Sequence, residues 1–202
     1  MLEKLSSGMR RFSTGWVALL GLVVFVVFTI TVLPAQSAQA ERSTGGANVP
    51  DLSFYYSAEQ LYGMAESYGA EGRDEYIRAR FTFDLVWPLV YTLFLATAIS
   101  WVFGKAFAPD SPWQRANLAP LLGALFDYLE NLSTSLVMLR YPAQTPVVDA
   151  LASVFTALKW GFLGASFVLL FGGVAVAAWR WTERRVRGRR SRGRGPGSRG
   201  GC

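Results

Sequence analysis

The chain has 202 residues, of which 51% are hydrophobic and only 17% are charged, and its formal net charge is +6. Since soluble domains carry about 25% charged residues, this composition favours an integral membrane protein over an ordinary soluble domain. With no His and a single Cys, the chain cannot form a Ser-His-Asp triad, an imidazole or multi-cysteine metal site, or an intramolecular disulfide. We therefore expect no metal, no cofactor and no catalytic residues of these kinds.

Four apolar blocks follow one another along the chain. About twenty residues in a helix cross the hydrocarbon of a bilayer at 1.5 Å per residue. The sequence therefore predicts an all-α integral membrane four-helix bundle with a short extracytoplasmic helical segment. The predicted transmembrane helices are residues 15–34, 81–104, 118–139 and 148–180, with loops at 105–117 and 140–147.

Basic residues beside the apolar blocks predict the orientation. Lys4 lies in the N-terminal segment 1–14, Lys105 in the loop 105–117, and the Arg-rich tail covers 181–202. Basic loops favour the cytoplasmic side of a membrane. We expect a multi-pass protein of the bacterial inner membrane, with both termini cytoplasmic and segment 35–80 outside.

The first apolar block has a second interpretation. It follows a basic start and precedes the small residues Ala38 and Ala40, a pattern typical of signal-peptidase cleavage. Cleavage after Ala40 would leave three helices. The apolar stretch is longer than the 7–15 residues usual in a signal peptide, which favours a retained helix.

The extracytoplasmic segment predicts local structure of its own. Residues 35–50 have the composition of a flexible linker. Ser57 followed by Gln60 indicates a capping box that opens a helix ending near Gly69. A second helix is expected to begin near Glu71 and to continue into the next span.

Tyrosines are concentrated in the same segment. We interpret them as an interfacial aromatic belt, with rings against lipid and hydroxyls in water, and the alternative is that they line a ligand site. They are Tyr55, Tyr56, Tyr62, Tyr68 and Tyr76.

The third apolar block carries ionisable residues, which are costly in lipid and therefore mark candidate sites. Asp127, Glu130, Asn131 and Thr134 have the spacing of one helix face. Two carboxylates one turn apart can share a proton and act as ligand or ion candidates. The alternative is that they hydrogen-bond other helices and hold the bundle in register.

Lys159 in the fourth block leaves two interpretations open. At the depth of Glu130 it would form an ion pair that links the third and fourth helices. The twenty uncharged residues that follow it form a span by themselves, which would instead make Lys159 an anchor at the outer interface.

Asp84 lies one turn inside the second block. Arg78 and Arg80 are outer ion-pair candidates that could neutralise it. The alternative is a polar funnel from outside, through Asp84 and Tyr91, towards the carboxylates of the third helix.

The tail 181–202 consists mainly of Arg, Gly and Ser, so we expect it to be disordered and to attract anionic lipid headgroups. We expect no nucleic-acid partner. The role of the final Cys202 stays open between acylation and none.

Several short motifs together carry a resemblance: Tyr62-Gly63, Tyr68-Gly69 and Gly72-Arg73, Phe81 to Leu85 with Pro88 and Tyr91, Phe126 to Asn131, and Leu158-Lys159-Trp160. Over residues 52–165 the chain resembles small bacterial four-helix integral membrane proteins with no assigned activity. It is more loosely similar, in size and carboxylates, to the sterol-isomerase and sigma-2-receptor-like superfamily. The first resemblance implies no reaction, and the lack of His argues against the isomerase chemistry of the second.

These patterns favour an accessory or structural membrane protein with a buried polar cluster. The alternative is a binder or transporter of a small molecule, lipid or proton that uses Asp84, Tyr91, Asp127, Glu130, Asn131 and Lys159. An intramembrane acid–base enzyme is disfavoured because no nucleophile accompanies the carboxylates. The expected partner is the lipid bilayer, and another membrane protein is kept as an alternative.

Overall fold

Every regular element of the chain is a helix over the part that the computed structural model describes, residues 1–50 and 53–192, which confirms the all-α class. A 3-10 helix, Pro112–Leu118, connects α5 to α6. The helices are α1 Leu2–Phe12, α2 Gly15–Thr44, α3 Ala58–Ser67, α4 Gly69–Arg80, α5 Phe83–Ala106, α6 Ala119–Arg140 and α7 Val148–Arg192.

Three helical stretches within the described residues are long and apolar enough to cross a membrane. They are Gly15–Thr44, Gly69–Ala106 and Val148–Arg187. The helix over 118–139 exists as α6, but its polar residues lower its hydropathy, so it is not among the three. The findings therefore support a membrane protein, and they do not establish the predicted four-helix membrane bundle.

The helices pack around α5 and α6. The most extensive contact between helices joins α6 to α7, and α5 contacts α2, α6 and α7. The main apolar core contains Leu95 and Ile99 of α5, both fully buried, together with Ala124 of α6 and Leu170 of α7. α6 is therefore packed against both α5 and α7.

A second apolar cluster lies at the opposite end of the bundle from α1. Leu61 and Ala65 of α3 and Tyr76 of α4 pack against Met138 of α6 and Ala152 of α7. We call residues 53–80 the outer cap. Because these side chains are buried, the outer cap is packed onto the bundle.

The predicted capping box of the outer cap is confirmed. Ser57 and Gln60 bond reciprocally to each other's backbone at the start of α3. α3 ends at Ser67, and α4 begins two residues before Glu71, at Gly69, whose φ of 64° favours glycine. The helix is interrupted by a turn at Phe81 and Thr82, so the second cap helix, α4, does not run unbroken into the next span.

The flexible linker predicted over 35–50 is wrong for most of its length. α2 continues to Thr44 and ends where Gly45 adopts a left-handed φ of 63°. Residues 35–42 are rich in Ala, Gln, Glu and Arg, which are strong helix formers, and they extend the first span past residue 34. Composition suggested a linker, but helix propensity and continuity with an apolar helix decide the structure.

The disorder predicted over 181–202 is wrong for residues 181–192. α7 continues to Arg192, and Glu183 pairs with Arg187 at 2.6 Å while Arg185 lies 3.7 Å from the centre of the Trp181 ring. Such contacts one turn apart support a helix that is rich in Arg. Residues 193–202, including Cys202, lie outside the described residues.

The N-terminal segment 1–14 contains a helix that the sequence interpretation missed. α1 is amphipathic, and its Ser6 is 1% exposed against the 3-10 helix. The Ser6 hydroxyl lies 2.8 Å from Oδ1 of the buried Asn117 and donates to it. α1 is therefore fixed to the end of the bundle.

Candidate functional site

The polar stripe predicted on the third apolar block lies inside the bundle. Asp127, Glu130, Asn131 and Thr134 are 6%, 0%, 5% and 0% exposed. Their spacing places them on one face of α6, and this face is directed towards α5 and α7. Whether these residues bind a ligand or an ion stays a prediction.

Both oxygens of the Glu130 carboxylate are contacted by α7. Lys159 Nζ lies 2.5 Å from Oε2, and the Thr156 hydroxyl donates to Oε1 at 2.7 Å. Lys159 is only 5% exposed. The structure therefore has the ion pair between Lys159 and Glu130 inside the bundle, and the depth of Lys159 in a membrane stays a prediction.

Asp127 is held by a different pair of donors. The Tyr91 hydroxyl of α5 donates to Oδ2 at 3.0 Å, and Nδ2 of Asn131 donates to Oδ1 at 3.3 Å. Among the described residues, Oδ1 of Asn131 and the buried hydroxyl of Ser135 have no hydrogen-bond partner. Asp127 thus joins α6 to α5, whereas Glu130 joins α6 to α7.

Asp84 is paired at the start of α5. Arg80 NH1 lies 2.8 Å from its Oδ2, and the Arg80 guanidinium lies 4.5 Å from the centre of the Tyr76 ring. Of the two predicted outer partners, Arg80 contacts Asp84, and Arg78 is exposed on α4. The Lys159 ammonium also attracts the carboxylates of Asp84 and Asp127. We call Arg80, Asp84, Asp127, Glu130 and Lys159, with the hydroxyl and amide groups that contact them, the polar network.

The outer cap closes this network from above. The Tyr56 hydroxyl lies 3.1 Å from the Thr156 hydroxyl, and the Tyr56 backbone N–H donates to Ser153 at 3.4 Å. A chain of polar groups therefore runs from the outer cap to Glu130. The spacing of Thr156 and Asp149 places both on one face of α7, but no local pattern in the sequence indicates which segment covers that face.

Three of the five tyrosines do not form the expected interfacial belt. Tyr56, Tyr68 and Tyr76 are 1%, 5% and 3% exposed, and they form much of the outer-cap core. The Tyr68 hydroxyl donates to the carbonyl of Asn48 at 2.5 Å, and burial raises the pKa of the Tyr68 phenol. These three side chains therefore pack within the protein.

Tyr62 links the outer cap to the beginning of α7. Its hydroxyl donates to Asp149 Oδ2 at 3.2 Å and accepts the backbone N–H of Thr145 at 2.6 Å. Asp149 is 8% exposed, and its Oδ1 accepts the backbone N–H of Ala150 in the first turn of α7. This contact fixes the loop 140–147 against α3.

The described residues contain no group of three or more His, Cys, Asp or Glu that could hold a metal ion. The network can instead exchange protons or bind a small polar group, since it consists of carboxylates, one lysine, one arginine, hydroxyls and an amide.

No protein-family model, no curated protein and no solved structure matches this chain.

Proposed function

We propose that the chain is a multi-pass integral membrane protein of the accessory or structural class, in which a buried polar network locks four transmembrane helices into one register. One observation carries the proposal. The two carboxylates of α6 are bound on all four oxygens by side chains of the protein itself: Tyr91 from α5, Asn131 from α6, and Thr156 and Lys159 from α7.

The distribution of side chains on α6 supports a fourth crossing. Its 22 residues are about 33 Å long at 1.5 Å per residue, which is enough to span the hydrocarbon. Its large apolar residues are directed outwards, where lipid would contact them, while its polar residues are buried. The outward residues, from 37% to 69% exposed, are Leu122, Leu125, Leu132, Leu136 and Leu139.

Charge supports an inner-membrane orientation with α1 and the end of α7 in the cytoplasm. With four crossings, α1, Lys105, the 3-10 helix and residues 180–192 lie on one side and carry twelve of the twenty basic residues. The outer cap carries five acidic residues and three basic ones. This difference follows the preference of basic loops for the cytoplasmic side.

The energetics of buried charge favour a structural role. A charge in the bilayer costs several kcal/mol unless it is paired, and the ion pair with Lys159 offsets this cost for Glu130. Sliding of α6 past α7 would separate the two charges of the pair inside the bundle. The pair therefore disfavours such sliding. A polar pair of this kind specifies helix register.

A charge swap tests the proposal. In purified full-length protein, E130K and K159E are each expected to lower the thermal midpoint strongly because each places two like charges together. The double variant restores the pair in reverse and is expected to recover most of the midpoint. Leu132→Ala, on the outward face of the same helix, is the control.

Failure of the double variant to recover, when each single variant still folds, would contradict the structural role of the pair. The Thr156 hydroxyl of α7 reaches the Glu130 carboxylate of α6 only when the two helices keep their register. Thr156→Val in the otherwise wild-type chain therefore measures this contact between the helices, and we expect a loss of about 1 kcal/mol.

A second function, proton binding or transport, is favoured by the charge balance of the network. It holds three carboxylates, Asp84, Asp127 and Glu130, against two cations, Arg80 and Lys159. One bound proton would balance it. A proton flux in proteoliposomes, abolished by Asp127→Asn with the thermal midpoint kept, would support this function over the structural one.

A further inference from the structure

We infer that the end of the bundle that carries α1 binds acidic phospholipid headgroups through a fixed collar of basic and aromatic side chains. This inference rests on the proposed membrane insertion, and it adds a ligand class and a surface. The basic residues of the collar are Lys4, Arg10, Arg11, Lys105, Arg115, Arg180, Arg184, Arg185 and Arg187, and its tryptophans are Trp16, Trp101, Trp113, Trp179 and Trp181.

Three separate parts of the chain meet at the collar. α1 contacts both the 3-10 helix and α5, and α7 contacts the 3-10 helix. Arg115 of the 3-10 helix pairs with Glu3 of α1 at 3.2 Å. The guanidinium of Arg180 on α7 lies 5.6 Å from the centre of the Phe107 ring, just after α5. The collar is therefore one surface.

Buried hydrogen bonds hold the collar in place. Asn117 is fully buried, and its Nδ2 donates to the Ser6 carbonyl at 3.1 Å and to the Ser100 hydroxyl at 2.9 Å. Gln114 Nε2 donates to the carbonyls of Phe103, Phe107 and Ala108 at 3.1–3.2 Å, which caps the end of α5. Since α1 and the 3-10 helix are anchored to the bundle, the backbone positions that carry their charges are fixed.

The charge of the collar suits an anionic partner. Its three segments, residues 1–16, 101–118 and 179–187, contain nine basic residues and only three acidic ones, Glu3, Asp110 and Glu183. Most of the basic side chains are exposed, including Arg11 and Arg184. An excess of this size at a membrane surface attracts acidic lipids.

The aromatic and apolar side chains identify the partner as a membrane. Trp16, Trp113 and Trp179 are 81%, 56% and 64% exposed, and tryptophan concentrates at the headgroup level of bilayers. Leu2 and Phe12 of α1 are 66% and 75% exposed beside them. The collar is continuous with the exposed apolar surface of α2 and α7, so headgroups lie at its level when the spans are in lipid.

A shallow groove of about 350 Å³ lies on the part of α7 that belongs to the collar. Trp179, Arg180, Arg184 and Arg187 line it, together with Glu183. Guanidinium groups on one face of a helix suit the phosphate of a headgroup, because each can donate two parallel hydrogen bonds. This groove is the part of the collar where we expect the tightest contact.

Native mass spectrometry of the purified full-length chain, in micelles with equal phosphatidylglycerol and phosphatidylcholine, tests the inference. We expect preferential retention of phosphatidylglycerol, which falls when NaCl is raised. Arg11→Gln and Arg184→Gln are expected to weaken the preference about five-fold each, since a basic residue near the surface contributes about 1 kcal/mol.

The matched controls are Arg42→Gln and Arg78→Gln. They remove the same charge from exposed arginines at the opposite end of the bundle, so they should leave the preference unchanged. Equal retention of both lipids by the wild-type protein, or an equal loss in collar and control variants, would overturn the inference. Binding of an RNA oligonucleotide without any lipid preference would overturn it in favour of a nucleic-acid surface.

Failure of the inference is distinguishable from failure of the proposed function. Extraction of the chain from membranes by sodium carbonate at high pH would refute membrane insertion itself. A chain that resists extraction but retains both lipids equally is inserted and has no acidic-lipid site.

Discussion

α2 and α6 show two opposite ways to place a helix in a membrane protein. α2 has no charged residue from Gly15 to Ala40, yet it buries only Ala18, Gly21 and Thr44. α6 carries two carboxylates and is largely buried on one side, between α5 and α7. If lipid surrounds the bundle, high hydropathy marks the helix that lipid contacts, and polar residues mark the helix that protein contacts.

The physical reason for this difference is the solvent. Lipid tails are as apolar as leucine, so apolar side chains gain little by leaving lipid for protein. Polar side chains gain a great deal, because lipid offers them no hydrogen bonds. The predictions below compare the inner face of α6 with the outward faces of α6 and α2.

The largest expected effect is loss of the Glu130 carboxylate. Glu130→Ala removes the carboxylate that pairs with the buried Lys159, and removing one member of a buried pair costs about 3–5 kcal/mol. We expect a large fall in the free energy of unfolding, measured by SDS titration in mixed micelles. Glu130→Ala combined with Lys159→Met should recover most of it. A loss below about 1 kcal/mol for the single variant would contradict the importance of the inner face.

The next effect compares the outward faces of α6 and α2. Leu132→Lys and Val26→Lys each place a charge near mid-membrane on an exposed position, 58% and 43% exposed. Both are expected to cost about 2.5–3.5 kcal/mol, reduced where the lysine reaches the interface. The fraction of chain integrated in the membrane measures this cost. If α6 tolerated the lysine and α2 did not, α6 would not contact lipid.

A smaller effect is expected at the contact between α5 and α6. Tyr91→Phe removes the donor to Asp127 Oδ2 without changing the shape of the ring. Leaving a buried acceptor unpaired costs about 1–3 kcal/mol, so the same SDS titration should show a loss in that range. Tyr55→Phe, at a position 70% exposed, is the control and should be neutral.

The smallest effect concerns the outer cap and its pH dependence. Because burial raises the pKa of Tyr68 above its unfolded value near 10, its contribution is constant below pH 10 and falls as the pH rises further. Tyr68→Phe loses the hydrogen bond to Asn48, about 1 kcal/mol, and should show a shallower decline in thermal midpoint above pH 10. An unchanged decline in the variant would assign the pH dependence to other groups.

Local patterns in the sequence predicted much of the fold. The 3.6-residue spacing of Asp127, Glu130, Asn131 and Thr134 placed them on one face of α6, and the Ser57–Gln60 motif marked the start of α3. Both signals arise within a single turn or two of helix. Interactions over this short range can be predicted from the sequence without knowledge of the tertiary structure.

Contacts between distant segments could not be predicted in the same way. The depth of Lys159 depends on how α7 slides against α6, which the sequence left open between two registers. The burial of Tyr56 against Thr156 and of Ser6 against Asn117 depends on which segment covers each end of the bundle. The extension of α2 through residues 35–44 shows that helix propensity outweighs the linker-like composition there.

The most direct test of the account is the side of the membrane on which the two ends of α6 lie. In a Cys202→Ser background, Ala108→Cys and Gln144→Cys place single thiols at exposed positions before and after α6. A membrane-impermeant maleimide added to intact cells is expected to label the Gln144 variant, together with a Glu59→Cys reference in the outer cap. The Ala108 variant should be labelled only after lysis. Labelling of both positions from the same side would contradict the account, because α6 would then not cross the membrane.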